Sequence, residues 1–291
     1  MAMNNVIIVG SGPAGISASL YTLRAGIKTT IFSTGECALD KAKEIENYYG
    51  FAEPVSGPVL RDAGVAQARR LGAEIIANEV VGIEEVENNI FNVKTENSSH
   101  HAKIVILTTG ATRAKPSWDG ITDYEGMGVS YCAVCDAFFF RGKDVAIAGS
   151  GPYALHEAQA LLPLVNSITL CTDGKEITAD FPPEIKIIDK PVFALSGDQV
   201  LAGIRFSDGD GISVSGLFVA IGTAGSSDLA NTIGADVKGN NIAVNEHMHT
   251  SVPGLLAAGD CTGGMKQIAK AVYEGAVAGT EAVRIIQGAI K

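Results

Sequence analysis

Val6-Ile-Ile-Val-Gly10-Ser-Gly-Pro-Ala-Gly15 decides the fold of this chain. Four apolar residues bounded by glycine read as a strand buried on both faces. Gly10 permits a tight turn, Gly12 lets a pyrophosphate approach the backbone, and Gly15 lets the next helix lie close to the strand. Ser11, Pro13 and Ala14 complete that turn, and the first amides of the helix offer a partial positive charge to phosphate oxygens. The helical stretch Ile16–Arg24 stops at Gly26, and Lys28–Phe32 reads as a second strand, completing a βαβ unit.

The same pattern restarts in mid-chain. Asp144–Ala148 reads as a strand, Gly149-Ser-Gly-Pro-Tyr-Ala154 as its turn, Leu155–Leu162 as a helix ended by Pro163, and Ser167–Cys171 as the next strand. An internal repeat of this kind predicts an α/β fold with two Rossmann-like dinucleotide-binding domains. Between the repeats, Val59–Leu71 has helical spacing, Glu74–Lys94 alternates like hairpin strands, and Lys103–Thr108 reads as a buried strand ending at Gly110. Leu255–Asp260 is a strand running into a turn, and Gln267–Gln287 is a long amphipathic helix. A strand and helix returning at the end imply that the second domain is inserted into the first. The expected division is 1–113 with 248–291 against 114–247, with crossovers at 111–116 and 245–250.

The 291 residues are 46% hydrophobic and 19% charged, with a formal net charge of −10, a balance suited to folded domains. An acidic chain without a Lys/Arg run argues against nucleic acid or an anionic membrane as partner. No apolar stretch reaches the roughly 18 residues of a spanning helix. The N-terminus lacks a basic region followed by an apolar one, so the expected location is the cytoplasm.

Five cysteines stand at 37, 132, 135, 171 and 261. Their scatter and odd number do not resemble a secreted disulfide framework. Cys132-Ala-Val-Cys135 is the one close pair, followed by Asp136. Such a spacing closes a small disulfide ring and brings one thiol toward the reactive range, with Asp136 placed to carry a proton. Zinc would need two further ligands, and neither a second such pair nor the separate couple His247 and His249 supplies them. No metal site is expected. Cys37, Cys171 and Cys261 read as small buried hydrophobes, and His100-His101 as a solvated pair.

Taken together, these residues resemble the low-molecular-weight thioredoxin reductases over nearly the whole chain. The likeness rests on GSGPAGISASLYTLRAG from Gly10, EIENYYGF at 44–51, TTGA at 108–111, SYCAVCDAFFFRGKDVAIAGSG from Ser130, and MHTSVPGLLAAGDC from Met248. The resemblance implies FAD in the first domain, with Gly10, Ser11, Gly12, Pro13, Ala14 and Gly15 at its pyrophosphate. Asn47 and Gly110 fall in two further shared motifs and are carried over as flavin-site residues. Gly259 and Asp260 would hold the ribitol, and Lys266, Gln267 and Ile268 would lie near the flavin ring. Cys135 would face the flavin, Cys132 would attack the disulfide of thioredoxin, and Asp136 would be the acid/base. A homodimer and a large domain rotation are also implied. The stretch 36–43 departs from the family, so flavin contacts there do not carry over.

The second turn departs further. An NADPH site needs arginines for the 2′-phosphate, yet no arginine stands between Arg141 and Arg205. Asp173 would repel that phosphate, Pro152 and Tyr153 fill positions that are commonly small or polar, and Ala224–Ser227 replaces the family's Pro-Asn-Thr turn. NADPH is therefore not the expected donor. In this the chain resembles the ferredoxin-dependent flavin thioredoxin reductases, which makes reduced ferredoxin the expected donor. NADH held by Asp173 is the alternative, and another reduced cofactor a third. The usual ribose acid of the first domain is also missing: Ser33 and Thr34 stand there, with Glu36 beyond. Arg113, Lys115, Arg141 and Lys143 are candidates for a basic docking patch. A flavin-binding regulator without turnover is the reading from a different class, and the C-x-x-C-D sequence argues against it.

Overall fold

The structure, a computed structural model, describes residues 4–35, 37–86, 89–110 and 116–288. The opening apolar run forms β1 (Asn4–Val9), followed by α1 (Pro13–Arg24) and β2 (Thr29–Ser33). β1 and β2 are parallel, with Ile8 opposite Ile31. Both isoleucines are fully buried, as expected where helices cover a parallel sheet. α2 (Gly57–Arg70) leads into β3 (Glu74–Ala77), after which come β4 (Val80–Val86), β5 (Ile90–Thr95) and β6 (Ser99–Leu107).

The alternation at Glu74–Lys94 is only partly a hairpin. β4 and β5 pair antiparallel, whereas β3 runs parallel to β2 at the sheet edge. The reason is α2: a helical crossover between two strands returns the chain in the same direction. β6 divides its length, with its first half antiparallel to β5 and its second half parallel to β1.

The second repeat contains β7 (Val129–Ser130), α3 (Ala133–Asp136), β8 (Asp144–Ala148), α4 (Pro152–Leu161), β9 (Ser167–Cys171) and β10 (Lys186–Ile188). After them come β11 (Val192–Gly197), β12 (Leu201–Phe206), β13 (Gly211–Ser213) and β14 (Gly216–Val219). A parallel sheet of order β10-β9-β8-β14-β7 forms this unit, with β11-β12-β13 as a separate antiparallel sheet. Trp118, Phe206, Leu217 and Val219 belong to its core.

The chain then continues through α5 (Ser226–Thr232), β15 (Val237–Lys238), β16 (Asn241–Ile242), β17 (Leu255–Ala257) and α6 (Ile268–Ile286). β17 joins β6 in parallel, Leu256 opposite Ile106. α6 lies on α1 at glycine distance: a Cβ at Gly275 would stand 2.1 Å from the Ala14 carbonyl oxygen, and one at Gly279 2.4 Å from that of Ala18.

Two compact units result, Met1–Thr112 with Gly225–Lys291, and Arg113–Ala224. The return to the first unit thus comes at residue 225 and not at the expected 248. The cause is α5, which belongs to the first unit through hydrogen bonds of Ser226 to Thr109 and of Thr232 to the Ile83 carbonyl. No helix among the described residues is long and apolar enough to cross a membrane.

Candidate functional site

In the first unit, Gly10 has φ +111°, and a Cβ there would stand 2.5 Å from the Thr108 carbonyl oxygen. Gly15 is tighter still, its Cβ falling 2.0 Å from the Gly10 carbonyl oxygen. Thr108 fixes the turn by donating its hydroxyl to the Val9 carbonyl at 2.8 Å. Gly12 differs: it is extended, caps α1 without a side chain, and has nothing within 4 Å of where its Cβ would be. Open space over uncapped amides fits a diphosphate, as the expected FAD requires.

A Cβ at Gly259 would stand 2.9 Å from the Ala14 Cβ, so the Gly259-Asp260 turn lies against the start of α1. Asn47 Nδ2 donates to Gln267 Oε1 at 2.9 Å, which brings the EIENYYGF stretch to the N-terminus of α6. Beneath them Ile268 packs against Leu39, Ile45 and Val55. Gly110 (φ +81°) also has open space where a Cβ would lie. Lys266 is exposed beside Gln267. Ser33 is hydrogen-bonded to Ser11 at 2.6 Å and accepts the Gly35 N–H, so it braces the glycine turn. Glu36 lies outside the described residues.

The sequence reading missed the pair that holds the Gly259 turn. Glu274 accepts the Gly259 N–H at 2.8 Å, while Lys270 donates to the Gly259 and Gly263 carbonyls at 2.8 and 2.6 Å. The two are 3.0 Å apart, one turn from each other on α6. Two opposite charges at i and i+4 within the amphipathic helix were the available signal.

The histidines differ from the sequence reading. His100 packs its ring at a tilt against Phe32, ring centroids 4.7 Å apart, and bonds Ser98. His249 Nε2 lies 3.3 Å from Glu281 Oε2, and His247 Nδ1 lies 3.9 Å from Oε1, where Arg284 also donates at 2.7 Å. Burial would raise the Glu281 pKa, but the hydrogen bonds from Arg284 and His249 outweigh it and hold the carboxyl below its ordinary range. The unfolded chain therefore takes up a proton that the folded chain refuses, so this contribution is full above the ordinary carboxylate pKa and lost as pH falls. Glu281→Gln is expected to lower stability by about 1.5 kcal/mol near neutral pH. Thermal unfolding of parent and variant should converge below about pH 4.

In the second unit, Cys132 and Cys135 are joined by a disulfide. Cys132 caps α3 and its sulfur accepts the Cys135 N–H at 3.2 Å. Cys132 is 6% exposed, whereas Cys135 is exposed. Ser130, also missed by the sequence reading, donates to Asp136 Oδ2 at 2.7 Å and accepts the Cys132 N–H at 3.1 Å, linking the acid to the buried cysteine. Phe138 and Phe139 are exposed beside the pair. Arg141 and Lys143 each lie over a phenylalanine ring, at 5.6 Å; Arg113 and Lys115 lie outside the described residues. Cys171 and Cys261 are buried, and burial pushes each thiol up to about 12.

The second glycine turn is built like the first. Gly149 has φ +156°, and its Cβ would meet the Ala220 carbonyl oxygen at 2.3 Å. Its surroundings differ. The Thr178 N–H bonds the Ser150 carbonyl at 2.9 Å, which folds the segment after β9 back onto the turn. Asp173 Oδ1 accepts the Val192 N–H at 2.7 Å. Tyr153 is 4% exposed, with its hydroxyl 3.3 Å from the Tyr131 carbonyl oxygen.

Residues 4–275 match the pyridine nucleotide-disulphide oxidoreductase family. The thioredoxin reductase of Streptomyces coelicolor is 36% identical over 277 residues, covering 89% of this chain and 86% of its own, and that of Aquifex aeolicus is 35% identical, covering 88% and 84%. Among solved structures, the atypical thioredoxin reductase TRi from Desulfovibrio vulgaris Hildenborough superposes with a TM-score of 0.91 at 38% identity, covering 98% of this chain and 99% of its own. A ferredoxin-flavin thioredoxin reductase from Clostridium acetobutylicum gives 0.72 at 30% identity, with 98% of each chain covered.

Proposed function

The chain belongs to the pyridine nucleotide-disulphide oxidoreductase family, among its thioredoxin reductases, and we propose that its electrons come from reduced ferredoxin. As an FAD-dependent disulfide oxidoreductase of the thioredoxin reductase type, it reduces a protein disulfide with electrons that the flavin supplies when bound. The remaining question is the donor.

The observation that carries the ferredoxin reading is the closed second turn. Asp173, the residue that would hold an NADH ribose, spends a carboxylate oxygen on the Val192 amide. The Thr178 segment lies on the turn, and no arginine between Arg141 and Arg205 offers a bidentate partner to a 2′-phosphate. The likeness to a ferredoxin-flavin thioredoxin reductase supports the same reading. NADPH is the rival that the family's name suggests.

In the proposed reaction, two electrons and two protons convert the Cys132–Cys135 disulfide into two thiols. The Cys132 thiolate attacks the thioredoxin disulfide and forms a mixed disulfide. Cys135 then attacks Cys132, which releases the reduced partner and restores the internal disulfide. Asp136, oriented by Ser130, carries the proton. Cys132 is buried, so it must be uncovered to meet a protein disulfide; the domain rotation expected from the family resemblance is the proposed means. Gly10, Gly12 and Gly15 would hold the FAD diphosphate, with Asp260 at the ribitol and Asn47 and Gln267 near the ring.

The test mixes pure holoprotein anaerobically with NADPH, NADH and photoreduced ferredoxin in turn, following the flavin band and then thioredoxin reduction. Ferredoxin is expected to bleach the band within seconds and to support turnover. Rapid bleaching by NADPH overturns the donor proposal. Bleaching without thioredoxin reduction overturns the acceptor.

A further inference from the structure

Glu157 lies in the middle of α4, and a charged residue on a helix ordinarily faces water. It is instead 2% exposed, and its carboxylate accepts the N–H of Ala133 at 2.5 Å. That nitrogen is bonded directly to the carbonyl carbon of Cys132. Tyr153, one turn earlier on the same face of α4, has its hydroxyl by the carbonyl of Tyr131 on the other side of Cys132. The helix that follows the second glycine turn thus grips the cysteine loop from both sides. The other acids around the loop are Asp136, half-buried and bonded to Ser130, and Glu125, exposed and bonded to the Tyr131 hydroxyl. Glu157 is the one of the three that is shielded from water.

From this placement we infer that Glu157 is a positioning residue that sets how strongly reducing the Cys132–Cys135 pair is. The disulfide is neutral, whereas the reduced pair gains thiolate charge. A buried carboxylate one peptide unit away opposes that charge, because the low local dielectric leaves it little screened. It therefore favours the disulfide over the thiolate-bearing form, which makes the dithiol a stronger electron donor to thioredoxin. The inference relies on the proposed function only in taking this pair as the redox centre. It needs neither the electron donor nor thioredoxin for its test.

The experiment equilibrates the full holoprotein in glutathione buffers of graded ratio and counts free Cys132 and Cys135 by alkylation and mass spectrometry. Glu157→Gln keeps an acceptor for the Ala133 N–H but removes the charge. It is expected to shift the equilibrium about tenfold toward the dithiol, which corresponds to about 30 mV. The alkylation profile of reduced Cys132 should move to lower pH. Tyr153→Phe loses a hydrogen bond without losing charge, and it should leave the equilibrium within about twofold of the parent. An unshifted Glu157→Gln overturns the inference, and so does an equal shift in Tyr153→Phe, which would assign the effect to loop geometry. Should Glu157→Gln fail to fold, Glu157→Asp decides: it keeps the charge, so a tenfold departure from the parent overturns the inference and a value within threefold supports it.

Discussion

Gly12→Asp is expected to give a protein that folds at least as well as the parent and binds no flavin. Gly12 has an extended backbone at the N-cap of α1 and open space around the missing Cβ, so a side chain meets nothing in the folded chain. Aspartate at that position can accept a first-turn amide, where glycine offers no side-chain acceptor, and this adds a few tenths of a kcal/mol to helix stability. The same carboxylate occupies the open space that a diphosphate needs. Two like charges about 4 Å apart at an effective dielectric of 20 repel by about 4 kcal/mol, close to a thousandfold in affinity. The purified variant should be colourless, with a thermal midpoint no lower than that of the flavin-stripped parent. Gly15→Ala is the contrasting case: its methyl would lie 2.0 Å from the Gly10 carbonyl oxygen, so it should lose flavin and stability together. A yellow Gly12→Asp protein would place the diphosphate elsewhere.

That contrast also explains what could be read from the sequence. Glycines at both turns announce a backbone that no other residue can adopt or a contact that no side chain permits, and both constraints are local. Gly10 and Gly149 were legible for this reason, and with them came the strands before the turns and the helices after. The point where the chain returns to the first unit was not legible. Nothing in Gly225-Ser-Ser-Asp228 distinguishes a linker from a cap, and α5 is assigned by contacts to Thr109 and Ile83, more than a hundred residues away.

The charged residues taught the opposite lesson. Lys270, Glu274 and Glu157 stand on helices, where charge ordinarily marks the wet face. All three turn inward because each finds backbone groups left over from a turn: the Gly259 and Gly263 carbonyls, the Gly259 amide and the Ala133 amide. The demand for a partner arises at a turn or helix start and is met from a helix 7 to 24 residues further on, and the hydropathy of either stretch by itself does not show the pairing. Asp173 shows the same effect at the second nucleotide-like turn. Its charge was legible as hostile to a phosphate, but its use as an acceptor for the Val192 amide was not.

The largest loss is expected from the cysteines themselves. Cys132→Ser and Cys135→Ser should each lower thioredoxin reduction by about a thousandfold or more, since a residue that acts as part of a unit disables the whole when removed. Flavin bleaching by the productive donor should persist in both, because neither substitution touches the FAD turn. The two variants should differ in what they accumulate. With serine at 135, the Cys132 thiolate can still open a thioredoxin disulfide, but no second sulfur can resolve the product. A mixed disulfide should therefore build up and run as a larger species on a non-reducing gel. With serine at 132, Cys135 remains, and under the proposed assignment, in which it is the thiol toward the flavin, it should give a long-wavelength absorbance band and no mixed disulfide. Cys135 is the exposed residue of the pair and Cys132 the buried one, so exposure alone would assign the attack to Cys135. The trapping experiment separates the two accounts: a mixed disulfide formed by Cys132→Ser and absent from Cys135→Ser would exchange the roles of the two thiols.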